Sequence, residues 1–121
     1  MSAIPVADDV LDSAQILVPL PDIAQRLGVP VTRVQQMLRD GQLIAVRRDG
    51  VLLVPEVFLA EQGVVKGLPG TVTVLSDSGF SLTEMLRWLF TEDNSLPGAP
   101  IDALRGNRGR EVKRRAQALA L

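Results

Sequence analysis

The sequence predicts a mainly α-helical fold with one small β-hairpin, and three local patterns carry that expectation. Two short apolar-periodic stretches flank Gly28-Val29-Pro30. Two β-prone runs flank Asp49-Gly50, a pair suited to a tight hairpin turn. Ser81 is followed three residues later by Glu84, a capping box that opens a strongly amphipathic stretch.

The 121 residues suffice for one domain, or one with an appendage, and can bury a core without disulfides or a metal. The chain has no Cys and no His, which excludes thiol chemistry, Cys/His zinc sites and His acid–base catalysis. The acidic residues show no ligand-like spacing, and no nucleophile–base pair or phosphate-cradling loop is visible, so neither a cofactor nor an enzyme is expected. Phe58, Phe80, Phe90 and Trp88 are the whole aromatic set, too few to make base stacking on single strands a main binding mode. No apolar run approaches the ~20 residues needed to span a bilayer, and the front lacks a basic n-region, so a cytoplasmic protein is expected.

The net charge of −1 hides an uneven distribution. Met1–Gln25 carries four acids and no base, Arg26–Arg48 is net +4, and Ile101–Leu121 is again net +4. Residues 1–14 read as a flexible acidic front. Residues 15–63 read as the first folded unit, and 64–121 as a helical region packed on it.

Within 15–63, "QILVPL" fits an edge strand ending at Pro19 and Pro21. "PDIAQRL" has Pro21 in the first turn, Asp22 where the helix dipole favours an acid, and Ile23 and Leu27 four apart. Gly28 stops that helix. Pro30 precedes a second helix over Val31–Arg39, with Val34, Met37 and Leu38 on its packing side. In the hairpin, Arg48 should face Val51 and Val46 should face Leu53. "PEVFLAEQG" reads as a short helical segment and "VVKGLPG" as a linker. "TVTVLSDSG" is compatible with a strand or a helix start. Leu82, Met85, Leu86, Leu89 and Phe90 then define the clearest helix, stapled by Phe80 and Met85. "TEDNSLPGAP" is a loop, "PIDAL" one helical turn, and "REVKRRAQALA" a terminal basic helix.

Two helices joined by a Gly-containing turn and followed by a hairpin have the order of a winged helix-turn-helix. Ala24 is the small residue where the helices cross, and Val29, Val34 and Met37 close the space between them. The outer side of the second helix holds Thr32, Arg33, Gln35, Gln36 and Arg39. In a major groove, Arg33 suits guanine, Gln36 suits adenine, Thr32 a phosphate or thymine methyl, and Arg39 a phosphate. Arg47 and Arg48 on the hairpin suit backbone or minor-groove contacts. All seven are also ordinary surface side chains, and charges on a hairpin independently discourage edge pairing. The run Arg108, Arg110, Lys113, Arg114, Arg115 is ambiguous, since bases near a helix C-terminus are favourable anyway.

Leu17–Leu59, "LVPLPDIAQRLGVPVTRVQQMLRDGQLIAVRRDGVLLVPEVFL", resembles the winged helix-turn-helix of the excisionase and MerR-like group. Through "DDVLD", "LGVPV", "AVRR", "GLPG", "RWLFT" and "REVKRRAQA", nearly the whole chain resembles small actinobacterial, mycobacterial-type DNA-binding proteins known as substrates of a membrane Ser/Thr kinase. The resemblance implies a cytoplasmic, double-stranded-DNA-binding protein of transcriptional-regulator type with a helical C-terminal extension. Phosphorylated members carry the acceptor Thr ahead of "DDVLD". Here seven residues precede Asp8, and Ser2 is their sole hydroxyl, so the acceptor does not carry over. "PIDAL" with the basic helix also faintly resembles toxin-binding domains of antitoxins.

The rival reading is a protein-interaction module of antitoxin or adaptor type. A DNA binder should gather Arg33, Arg39, Arg47 and Arg48 away from Asp8, Asp9 and Asp12, whereas an adaptor should expose an apolar patch over Leu86–Phe90. A single helix-turn-helix reads few base pairs, so specificity would ordinarily need a dimer, yet no coiled coil is present.

Overall fold

The structure, a computed structural model, describes residues 3–61 and 63–119. Strand β1 (Leu17–Pro19) runs directly into helix α1 (Leu20–Leu27), with Pro21 in the first turn and Asp22 at its positive end. Gly28 ends the helix in the left-handed region at φ 67°. Its N–H donates to the Gln25 carbonyl, and the Val29 N–H reaches back to Ala24 at 3.0 Å. A Cβ at Gly28 would touch nothing, so backbone conformation rather than space selects glycine there. Pro30, extended at ψ 155°, starts helix α2 (Val31–Arg39), and the turn through Asp40 and Gly41 closes it.

Strands β2 (Val46–Arg48) and β3 (Val51–Pro55) pair antiparallel in the expected register, Val46 opposite Leu53 and Arg48 opposite Val51. Asp49 and Gly50 both take positive φ, 53° and 79°, as a type I′ turn requires. β1 pairs with the other side of β3, making a three-stranded sheet in the order β1-β3-β2.

Three expectations are corrected ahead of Ser81. Residues 4–11 of the front are packed rather than trailing, with Ile4, Val10 and Leu11 against the core. Ala7 is buried, its N–H donates to the Ala45 carbonyl at 2.8 Å, and it bridges Val46 in parallel. The Asp8 N–H donates to the Thr83 hydroxyl at 3.0 Å. (Met1 and Ser2 lie outside the described residues.) The expected helix after Pro55 is a single 3-10 turn, Glu56–Phe58, followed by strands β4 (Leu59–Ala60) and β5 (Gly63–Val64). Phe58 is drawn wholly into the core with Leu59 behind it, and the chain leaves its helical winding to seat them. The expected linker is the start of helix α3 (Leu68–Asp77). Val65 and Leu68 are buried, Gly67 is the N-cap and Pro69 occupies the first turn. Glycine and proline mark a helix start here rather than a tether.

Helix α4 (Leu82–Phe90) opens on the capping box. The Glu84 N–H donates to the Ser81 hydroxyl, and the Ser81 N–H donates to the Glu84 carboxylate at 2.9 Å. Helices α5 (Pro100–Arg105) and α6 (Gly109–Ala118) complete the chain. One core runs through both halves, from Ile23, Val34 and Val54 to Leu75, Leu86 and Val112. The Phe58 and Phe90 rings meet at 5.7 Å. One Arg105 nitrogen donates to the carbonyls of Val57 and Leu59, each at 2.9 Å, tying α5 to the 3-10 turn.

Candidate nucleic-acid interface

Helix α2 is amphipathic by spacing. Val34, Met37 and Leu38 are buried against α1 and the core, which turns Thr32, Arg33 and Gln36 outward, with Gln35 and Arg39 half-buried on the flanks. Arg33 has no hydrogen-bonded or ion-paired partner among the described residues and is free to meet an anion. The Gln36 amide donates to the Asp40 carboxylate at 2.8 Å, one helical turn on. That bond uses one of the two amide N–H donors and leaves the other and the amide oxygen without a hydrogen-bond partner among the described residues.

The hairpin treats its two arginines differently. Successive side chains of a strand point to opposite faces. Arg47 is exposed, with only a marginal 3.5 Å approach to the Gly50 carbonyl. Arg48, on the same face as buried Val46, is half-buried and forms a two-pronged ion pair with Asp9, 2.7 Å from Nε and 3.0 Å from Nη2. The hydrogen bond from Arg48 holds the Asp9 carboxyl below its ordinary range, and the same bond raises Arg48. The expectation that Asp9 lies away from the basic wing is therefore corrected. The front segment pairs in parallel beside β2, a long-range placement that charge counting along the chain cannot reveal. Asp9 is the residue of the wing that sequence reasoning missed.

The apolar patch expected of an adaptor is absent among the described residues. Leu86 and Leu89 are fully buried and Trp88 and Phe90 half-buried, while the exposed large apolar residues Ile16, Val31, Val51 and Leu119 are scattered along the chain. No group of three or more acidic side chains is placed to hold a metal among the described residues. No helix there is long and apolar enough to cross a membrane.

A family model described as the winged helix-turn-helix domain of DNA-binding protein Rv2175c matches residues 3–59, and another, the Rv2175c C-terminal domain of unknown function, matches 65–120. The chain belongs to the Rv2175c family. It is 47% identical over 133 residues to the DNA-binding protein Rv2175c of Mycobacterium tuberculosis, covering 99% of this chain and 91% of that protein. The NMR structure of Rv2175c superimposes with a TM-score of 0.88 over 99% of this chain and 91% of the other. The fold is thus a winged helix-turn-helix carrying the helical C-terminal domain of the Rv2175c family.

Proposed function

We propose that this chain binds double-stranded DNA sequence-specifically and acts as a transcriptional regulator. Helix α2 lies in the major groove, where Arg33 reads guanine and Gln36 reads adenine. Thr32, Gln35 and Arg39 contact the neighbouring bases and phosphates, and Arg47 on the hairpin meets the flanking backbone. Arg48 joins Arg47 only on exchanging Asp9 for a phosphate.

The observation that carries this reading is the division of α2. Its apolar residues are consumed by the core, and what remains outward is Thr32, Arg33 and Gln36, with Arg33 unpaired. The name of the 47% identical relative, a DNA-binding protein, supports the same partner. The burial of Leu86 and Leu89 weighs against the adaptor alternative.

Salt titration tests the proposal. With about four phosphate contacts, log K for a labelled duplex should fall against log salt with a slope of roughly −4. A flat response, or no binding at low salt, overturns it.

A further inference from the structure

We propose that the groove between the first turns of α3 and α6 binds a small phosphate-bearing anion. It is a hollow of about 840 Å³, within the size range of small-molecule sites, and it lies in the domain to which no role is assigned. Lys66, Arg108, Arg110 and Lys113 line it, with Glu111 as the sole acid. Arg108 and Glu111 pair at 3.3 Å. Lys66, Arg110 and Lys113 have no ion-pair partner among the described residues. Three uncompensated cations therefore share one concave surface in a chain whose net charge is −1. No carboxylate among the described residues pairs with these three, and an anion would offset their mutual repulsion.

The backbone selects the kind of anion. The N-cap of α3 is Gly67 and that of α6 is Arg108, and neither supplies a side-chain cap for the first N–H groups of its helix. Gly70, Gly109 and Arg110, all in those turns, line the groove. Gly67 takes a positive φ of 90° beside Leu104, which favours glycine there. A Cβ at Gly67 would lie 3.0 Å from Leu104 Cδ2 and 3.5 Å from the Gly109 Cα. Cations and two uncapped helix starts around one hollow suit an ion with many acceptor oxygens, so a phosphate fits better than a carboxylate. A hollow of this volume is on the scale of a small molecule, which favours a small free anion. The site is separate from α2 and the hairpin and does not depend on DNA binding.

The test uses the full chain labelled with nitrogen-15 and titrated with sodium pyrophosphate, ionic strength being held constant with sodium chloride. The amides of Gly70, Gly109 and Arg110 should shift saturably at submillimolar ligand. Replacing exposed Arg110 and Lys113 with Ala should weaken binding about tenfold or more. Lys66→Ala, on the opposite wall, should weaken it independently. Arg114→Ala removes a charge from the same helix outside the groove and should leave affinity within about twofold. Shifts that never saturate, an equal loss in Arg114→Ala, or movement of these amides by a duplex but not by pyrophosphate would each overturn the proposal.

Discussion

The Asp9 carboxylate grips Arg48 through both Nε and Nη2, and strand periodicity explains the match. Ala7 bridges Val46 in parallel, so a step of two residues along each chain brings Asp9 beside Arg48 on one face. The acidic front thereby neutralises one of the two hairpin arginines proposed to meet DNA phosphates. Asp9→Asn keeps the shape and removes the competing charge. Duplex binding should tighten several-fold at low salt, with the salt slope steeper by about 1. Weaker binding by Asp9→Asn would show instead that the carboxylate positions the wing.

The same pair sets a pH dependence. Asp9 titrates below its ordinary range because Arg48 hydrogen-bonds to it, and Glu84 does so because the Ser81 backbone N–H and hydroxyl bind it. A depressed folded-state value means each carboxylate contributes stability above its unfolded value of about 4. That contribution is lost as the pH falls through the lower folded value. Thermal unfolding between neutral and strongly acid pH should therefore show a shallower acid decline for Asp9→Asn and for Glu84→Gln than for the parent. Parallel declines would mean the two contacts are not kept in solution.

Ring packing joins the two family domains, so the first should not stand alone. Phe58 is fully buried and meets Phe90, while Arg105 closes over the carbonyls of Val57 and Leu59. Phe58→Ala should cost about 3–5 kcal/mol in denaturant unfolding. A fragment ending at Gly63 should give collapsed, poorly dispersed amide spectra. A well-dispersed fragment with full duplex affinity would make the C-terminal domain an independent module.

Gly28 sits at φ 67° with open space where a Cβ would go. Gly28→Ala should therefore destabilise by about 1–2 kcal/mol through backbone strain alone, with little change in duplex affinity well below the melting temperature. A larger loss would indicate that the α1–α2 angle has shifted.

These features differ in how far the sequence discloses them. Gly28 with Pro30, Asp49-Gly50 and Ser81 with Glu84 act on their own neighbours, so the α1–α2 turn, the hairpin register and the start of α4 are all legible. Phe58 is not, because its burial depends on α4, which is distant in sequence. "TVTVLSD" is β-prone residue by residue, yet it forms α3 because Thr71, Val72 and Leu75 all have core to fill. The outward set on α2 is legible from helical spacing. The Asp9 contact and the groove between α3 and α6 each require two segments that only the tertiary fold brings together.

The division of labour between α2 and the wing gives the sharpest test of the DNA-binding proposal. Arg33 is exposed and unpaired, and Gln36 binds only Asp40, so neither supports the core. Arg33→Ala and Gln36→Ala should leave the melting temperature almost unchanged. Each should cost about 1–3 kcal/mol on a selected sequence and far less on scrambled duplex. Arg33→Ala should show the larger effect of the two, because it removes a charge-assisted contact whereas Gln36→Ala removes a neutral one. Arg47→Ala should weaken selected and scrambled duplexes alike and make the salt slope shallower by about 1. If Arg47→Ala alters sequence preference while the helix variants lose only general affinity, the wing reads and the helix merely positions. If Arg33→Ala unfolds the protein, its side chain is structural and α2 is not the reading element.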